Sequence, residues 1–429
     1  MEIKENKASN AGRKVLTNGE LKFYDGVVSV IIPVYNGGGY LKDLITALKA
    51  QRKIKEIEII AIDSGSTDGS VEFLKKQKIN LTEIPTSDFS HSKTRNLGAE
   101  KASGDILFFM TQDALPYGKD WVFKMTLPLV EHGAAAASCI EQAREGASLF
   151  TRLGSTDYRE YYDAGEGDRL TELPGKRDFF SIRRNACLND VACAIKREVF
   201  SAFLYRGEYA EDLDLGIRLL QAGYKLALLS SIPVIHSHER PCSYYFRRVY
   251  VDTKTNKNIV PHSPGTDKSL EEIAAAVFYA YYSLQMIFTC IQSIWGYLET
   301  TEFFNFIRYY WNHGIGKEPI ERNKLVFGSW YSEPEVDDFL QMVLNVYPDL
   351  SLGGNCYAEH LRHYFDARLR NYISRNCKII DAGLKNQIID ALFKTLLVLM
   401  ARDCALYFCD HPDKDDPLFQ TLEGMSMGI

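Results

Sequence analysis

The sequence predicts an α/β protein in which a mostly parallel central sheet carries helices on both faces, followed by a region of helices alone. Three observations point there. Apolar runs of strand length recur at residues 27–32, 58–62 and 106–110, the last of them unbroken, as expected of strands buried on both faces. Each stops abruptly in a polar loop with Gly or Pro, and apolar residues recur at helical spacing between them, the rhythm of βαβ units. From about residue 265 the Gly-rich strand ends cease and helical patterns remain.

Residues 1–26 are polar and irregular and read as a surface extension. The first strand stops at Pro33-Val34-Tyr35-Asn36 and three glycines, and Leu41, Leu44, Ile45 and Leu48 mark the next helix. The second strand ends in Asp63-Ser64-Gly65-Ser66-Thr67-Asp68-Gly69-Ser70, with a helix over 70–77 and a short strand near 80–84. A polar loop leads through Arg95-Asn96-Leu97-Gly98 into a helix and then the 106–110 strand. That strand breaks at Thr111-Gln112-Asp113 before Pro116, which cannot continue a central ladder. Residues 120–140 give a further helix and strand, and the charged, Gly-containing stretch 141–184 reads as a loop-rich excursion facing substrate. A strand at 191–195, a helix at 215–222 stopped by Gly223, a strand at 225–229 and Val234-Ile235-His236-Ser237-His238 complete the region. Asn, Lys, Pro and Gly cluster at 256–268. The expected organisation is therefore an extension (1–26), an α/β domain (27–260) and a mainly helical region (261–429).

The net charge of −6 argues against nucleic acid as a partner. Nine cysteines, scattered and never spaced as Cys-x-x-Cys, make neither a disulfide framework nor a zinc site and suit a reducing cytoplasm. No apolar h-region follows the charged N-terminus, so no signal peptide is expected. Residues 273–298 carry no charge and are long enough to span a bilayer. Gln285, Gln292 and four tyrosines within them favour a buried or interfacial helix instead.

In an open α/β sheet, ligands bind beyond the carboxyl ends of the strands, where Asp63 and Asp113 stand. Asp63 can accept from a ribose hydroxyl or a base N–H, and an Asx turn explains it equally well. Asp113 reads as a ligand or metal contact, or as a turn residue. Glu211-Asp212 stand near a helix start, where negative charge suits the dipole. As a functional pair, one carboxylate meets substrate as a general base while the other is held by structure. His236 and His238 share a face if extended; with a carboxylate they suit a divalent metal, and without one they are structural. Arg95 and Lys93 can contact a diphosphate or lie solvated. Arg144, after Glu141-Gln142, and the Arg247-Arg248 pair offer further anion contacts.

Taken in order, Val30-Ile31-Ile32-Pro33-Val34-Tyr35-Asn36, Ile62-Asp63 through Ser70, Arg95-Asn96-Leu97-Gly98 and Glu211-Asp212-Leu213-Asp214-Leu215 with Arg218-Leu219 resemble the signature set of glycosyltransferase family 2. Phe89-Ser90-His91-Ser92-Lys93-Thr94-Arg95, Thr111-Gln112-Asp113 and His236-Ser237-His238 are similar to its bacterial rhamnosyltransferases. The resemblance implies a GT-A fold, a nucleotide-diphosphate sugar donor and inversion at the anomeric carbon. It implies donor binding by Pro33, Tyr35, Asp63, Arg95, Gln112 and Asp113, with Asp63 on the base or ribose. Asp113, His236 and His238 would hold Mg²⁺ or Mn²⁺, and Asp212, beside Glu211, would deprotonate the acceptor hydroxyl. Gln142 and Arg144 are the expected acceptor contacts. The departure is Thr111, where many members carry the first acid of an Asp-x-Asp motif. With one carboxylate fewer, the metal is held more weakly, relies on a histidine, or matters less.

The implied function is transfer of a sugar, from dTDP-rhamnose for example, to a hydroxyl of a glycan or lipid-linked acceptor in bacterial surface polysaccharide synthesis. Another donor such as a UDP-sugar, or a non-catalytic nucleotide-sugar or glycan-binding module on the same fold, are the alternatives. A nucleotidyltransferase would want a basic phosphate loop, and Tyr35-Asn36-Gly37-Gly38-Gly39 has no basic residue before Lys42. In the helical region, Leu361, Tyr364, Phe365, Leu369, Tyr372 and Ile373 share a face among Arg362, Arg368, Arg370 and Arg375. Such a helix either lies on an anionic membrane, here the inner face of the cell membrane, or packs on its own protein. The region is expected to shape the acceptor site, mediate self-association or position the enzyme at a membrane.

Overall fold

A computed structural model of the chain describes residues 14–16, 20–294, 296–313, 324–328, 331, 333–347, 350 and 356–426. The chain divides into two compact units, one of residues 1–145, 155–237 and 259–262, the other of 146–154, 238–258 and 263–429.

The first unit runs β1 (Lys14–Val15), β2 (Tyr24–Val34), α1 (Gly38–Lys49), β3 (Ile54–Asp63), α2 (Ser70–Lys76), β4 (Asn80–Glu83), α3 (His91–Glu100), β5 (Ile106–Met110), β6 (Leu115–Pro116), α4 (Trp121–Glu131) and β7 (Ala136–Gln142). It continues through α5 (Leu149–Tyr161, its first turns counted with the second unit), β8 (Arg169–Thr171), α6 (Phe179–Asn185), β9 (Ala192–Lys196), α7 (Arg197–Phe203), α8 (Glu211–Gln221) and β10 (Leu226–Ile235). The sheet order is β1-β8-β10-β7-β9-β5-β2-β3-β4, with β6 also on β10. Parallel ladders join β5, β2, β3 and β4, and β7 with β10. This mixed, mostly parallel sheet is the GT-A arrangement expected from the sequence. Side chains alternate across it: Val28, Val30 and Ile32 pack with Leu41, Leu44 and Leu48 of α1, while Ile31, Ile60 and Ile62 pack with Phe200, Leu215 and Leu219 on the other face.

One strand departs from the βαβ pattern in a way that matters for the site. β9 is antiparallel to both β5 and β7. Its first residue, Ala192, therefore pairs with Met110 at the end of β5, and residues 188–191 arrive at the carboxyl edge. Other differences are local. The 141–184 stretch is less loop-rich than expected, because Leu149, Leu153 and Ile182 find buried positions on short helices. The two pieces expected at 225–229 and 234–238 are one strand, β10, with a register shift between Leu229 and Val234. Lys14-Val15 of the expected extension pair with β8.

Gly98 shows how tightly α3 lies on the sheet. A Cβ there would come within 2.4 Å of Ile31 Cγ2, and Ile31 is fully buried with a stiff branched side chain. Gly98→Ala should cost about 1–3 kcal/mol, the usual penalty of overpacking; equilibrium urea denaturation measures it, and unchanged stability would contradict this packing.

The second unit holds α9 (Cys242–Ile259), α10 (Leu270–Ser293), α11 (Thr300–His313), α12 (Pro334–Val346), α13 (Cys356–His363), α14 (Arg370–Asn376), α15 (Ala382–Asp410) and α16 (Pro417–Ser426), with a short strand pair at 298–299 and 379–380. Grouped by the sequence with the α/β domain, α9 falls here because Phe246 and Tyr250 join the helical core. A capping box of Ser269 and Glu272 opens α10, a helix long and apolar enough to cross a membrane. Here 72% of its most apolar window is buried, so it serves as a core helix of this unit. Leu361, Phe365, Leu369 and Ile373 are all buried. Their spacing of four would drift around a regular α-helix, but residues 364–369 form a π-turn, which takes more residues per turn and keeps the four in line. The apolar face of this Arg-rich helix is thus committed to the core.

Candidate active site

The loops after β2 and β3 are locked together. Tyr35 N donates to Gln112 Oε1 (3.0 Å), and Gln112 Nε2 donates to Tyr35 O (2.8 Å). Asn36, at φ 48°, donates from its N–H to Ser66 Oγ and accepts from Thr67 N, both at 2.8 Å. Gly38 N donates to Asp68 Oδ2 (2.8 Å). Gln112 thereby ties the loop after β5 to the loop after β2. Asp63 is 1% exposed and accepts from Gly65 N and Ser66 N at 2.9 Å each, and from the Ser66 hydroxyl. Three of its roughly four acceptor positions are thus filled from its own loop, the geometry of the Asx turn. Pro33 lies within β2 opposite Ile62. Of the residues expected to meet a donor, Tyr35 is the exposed one.

β6 pairs with the end of β10, Leu115 opposite Ile235, and folds the loop after β5 back toward His236. Asp113 Oδ1 then lies 3.6 Å from His236 Nε2. The other ring nitrogen, Nδ1, meets Glu141 Oε2 at 2.7 Å. Burial disfavours an imidazolium here, but the Glu141 hydrogen bond and the charges of Glu141 and Asp113 outweigh it and raise the His236 pKa above its ordinary value. Glu141 thus assigns Nδ1 as donor and leaves Nε2 facing Asp113, the order found where an outer carboxylate orients a metal-ligating histidine. Imidazole and carboxylate suit a divalent ion. The Thr111 hydroxyl is buried and has no hydrogen-bond partner among the described residues. His238, the third expected ligand, opens the second unit, where the Thr151 and Tyr245 hydroxyls donate to its main-chain oxygen at 3.4 and 2.9 Å. Gln142 is exposed at the end of β7, and Arg144 Nη2 donates to Asp113 O. Glu141→Ala is expected to weaken Mn²⁺ affinity about 10- to 100-fold, the usual effect of losing an outer-shell partner; calorimetric titration of Mn²⁺ reads it, and unchanged affinity would exclude His236 as a ligand.

The third group gathers around α8. Glu211 is 3% exposed, and Arg95 Nη1 donates to its Oε1 at 2.8 Å. Arg95, itself 2% exposed, also pairs with Asp190. The guanidinium expected on a diphosphate is therefore already matched by two carboxylates, and Arg95 organises this cluster from beneath. Asp212 remains partly exposed; its oxygens accept from Asp190 N (3.1 Å) and Leu213 N (2.7 Å). Burial, then the charge of Asp190, push Glu211 up to about 8 and Asp212 up to about 7. Three carboxylates around one guanidinium cannot all ionise without cost. Of the two adjacent acids, Glu211 is buried and Asp212 partly exposed.

Sequence reasoning missed Asn189 and Asp190. Asn189 Nδ2 donates to Glu141 Oε1 while Asp190 holds Arg95 and Asp212, and Thr111 N donates to Val191 O (3.2 Å). One short segment before β9 thus joins the Asp113–His236 group to the α8 carboxylates. The antiparallel course of β9 puts it there, and nothing in a single sequence marks that course.

A family model described as "Glycosyl transferase family 2" matches residues 29–202. The chain is 32% identical over 237 residues to the O-antigen chain rhamnosyltransferase RfbN of Salmonella typhimurium, covering 53% of this chain and 71% of the relative. It is 28% identical to the O-antigen chain rhamnosyltransferase WbaN of Salmonella anatum, over 52% and 70% of the two chains. A solved mannosyltransferase from Pyrobaculum calidifontis, in complex with GDP-Man and Mn²⁺, superposes with a TM-score of 0.43 at 17% identity, covering 56% of this chain and 66% of the other. On its ordered motifs and its identity with RfbN, the chain belongs to glycosyltransferase family 2 and is a rhamnosyltransferase-like glycosyltransferase.

Proposed function

We propose that this enzyme moves a deoxyhexose, with dTDP-rhamnose as donor, to a hydroxyl of a glycan or lipid-linked acceptor in bacterial surface polysaccharide synthesis, with inversion at the anomeric carbon. The names of the two Salmonella relatives support the sugar and the pathway class. The observation that carries the chemistry is Asp212: a partly exposed carboxylate with a raised pKa, held by Asp190 next to the strand end that bears Asp113. Asp212 takes the acceptor proton as the acceptor oxygen bonds to the anomeric carbon, and the bond to the diphosphate breaks on the opposite face. Tyr35 offers its exposed ring to the nucleoside, Gln112 keeps that loop in place, and Asp63 shapes the neighbouring one. Asp113 and His236 would hold a divalent ion, whose chemistry when bound would be positive charge beside the departing diphosphate. Gln142 is the acceptor contact. The catalytic domain lies within residues 27–237, and the helical region selects the acceptor or mediates self-association.

A thermal-shift panel of dTDP-rhamnose, UDP-sugars and GDP-sugars, with and without Mn²⁺, tests this reading. Stabilisation by dTDP-rhamnose is expected. Preference for a UDP-sugar would change the donor and keep the reaction, whereas no response to any nucleotide sugar would sink the proposal.

A further inference from the structure

We propose that Arg144 is a donor-side residue whose guanidinium binds the diphosphate of the nucleotide sugar, and so supplies a fixed cation where Thr111 has removed a metal-binding acid. The inference rests on the glycosyltransfer reading above and moves Arg144 away from the acceptor, where the sequence placed it.

Three contacts hold the guanidinium and its main chain in place. Nη2 donates to Asp113 O. The guanidinium carbon lies 4.3 Å from the centroid of the Tyr40 ring, in the first turn of α1, just past the Tyr35–Gly38 loop. The Arg144 N–H donates to Ser237 Oγ (3.2 Å), beside His236. The head group is therefore fixed between the nucleoside-side loop and the Asp113–His236 pair, on planar contacts that cost it little further entropy on binding. Among the described residues it has no carboxylate partner, whereas the site's other arginine, Arg95, pairs with Asp190 and Glu211. Arg144 Nη1 is buried without a hydrogen-bond partner among the described residues. A buried cationic donor left unsatisfied costs free energy, and a phosphate oxygen is the acceptor a guanidinium fork fits best.

The charge around Asp113 makes the same case. An acid at position 111 would add a negative charge beside a ligand that is itself a dianion. Thr111 removes that charge, and Arg144 adds a positive one a few ångströms away. Unlike a bound ion, this charge stays when metal is removed. The enzyme should therefore retain part of its nucleotide-diphosphate affinity in a chelator.

Calorimetric titration of the full chain and of Arg144→Ala and Arg144→Lys with dTDP, UDP and GDP, in Mn²⁺ and in EDTA, tests the assignment. The nucleotide that the unaltered chain prefers should bind Arg144→Ala about 10- to 100-fold more weakly, the range for losing a charged hydrogen bond. The loss should persist in EDTA, and Arg144→Lys should fall between, because an ammonium keeps the charge without the fork. Thermal melting of both variants separates this from misfolding, and the lysine variant reports even if the alanine variant is unstable. Unchanged diphosphate affinity in both variants, with a raised KM for the acceptor, overturns the inference and returns Arg144 to the acceptor side. Failure of the unaltered chain to bind any of the three nucleotides overturns the glycosyl-donor reading itself.

Discussion

Asp212→Asn is expected to lower kcat by about 10²- to 10⁴-fold, the usual worth of a positioned general base, while donor affinity stays within about twofold. Asn keeps one oxygen to accept from Leu213 N or Asp190 N, so the start of α8 should hold its shape; what disappears is the capacity to take a proton. Glu211 cannot stand in, because it is 3% exposed and tied to Arg95 at 2.8 Å. Single-turnover transfer with product detection, beside calorimetry of the nucleotide, separates the two effects. Near-normal turnover in the variant would place the base elsewhere. A second consequence is a gain in stability. Both carboxylates are held above their ordinary pKa, first by burial and then by Asp190. The folded chain thus keeps protons that the unfolded chain has already lost between about pH 4 and 8. That stabilising contribution is complete below about pH 4 and fades as pH rises through 7 to 8. Asp212→Asn removes the share of the fade that belongs to Asp212, so its melting temperature at pH 8 should exceed that of the unaltered enzyme, a common trade between stability and activity. Melting curves from pH 5 to 8.5 check the sign.

Much of the fold is local information, and that part was legible. Val28, Val30 and Ile32 against Ile31 carry the alternation of a strand buried on both faces, and Leu41, Leu44 and Leu48 carry the helix that covers one of them. The approach of Asp113 to His236 followed from ordered motifs rather than from any distance a sequence contains. Direction was the harder matter. Residues 191–195 read as a strand, but only the sheet shows that β9 runs backwards between β5 and β7, and that reversal is why Asn189 and Asp190 reach the site. Arg95 departs from its expected role for a related reason. A charged residue near a loop looks solvated or ligand-bound from the sequence, whereas its two carboxylate partners come from elements 95 and 116 residues further along. Nothing in the sequence sets Glu141 apart from Gln142 beside it, although Glu141 is the residue that sets the orientation of His236.

Asp190→Asn is expected to move the rising limb of the kcat/KM profile toward lower pH by about one unit, since removing a like charge beside a carboxylate lowers its pKa. With Asp212 as the proposed base, the limb reports its deprotonation in the free enzyme, near neutrality because burial and the Asp190 charge act together on it. With Asn at 190 the main-chain N–H that Asp212 accepts from is kept, the competing anion on Arg95 is gone, and the guanidinium charge falls more fully on Glu211 and Asp212. Both changes favour the ionised form, so the shift has one sign. A weaker base is also a slower one on its plateau, and kcat at pH 8.5 should fall modestly while kcat at pH 6 falls less or rises. If Asp190 merely braced the fold, the variant would lose activity evenly at all pH values and melt earlier, with the limb where it was. Movement of the limb at constant donor affinity is the signature of a residue that tunes the base, and it assigns the segment before β9 a chemical as well as an architectural part in the site.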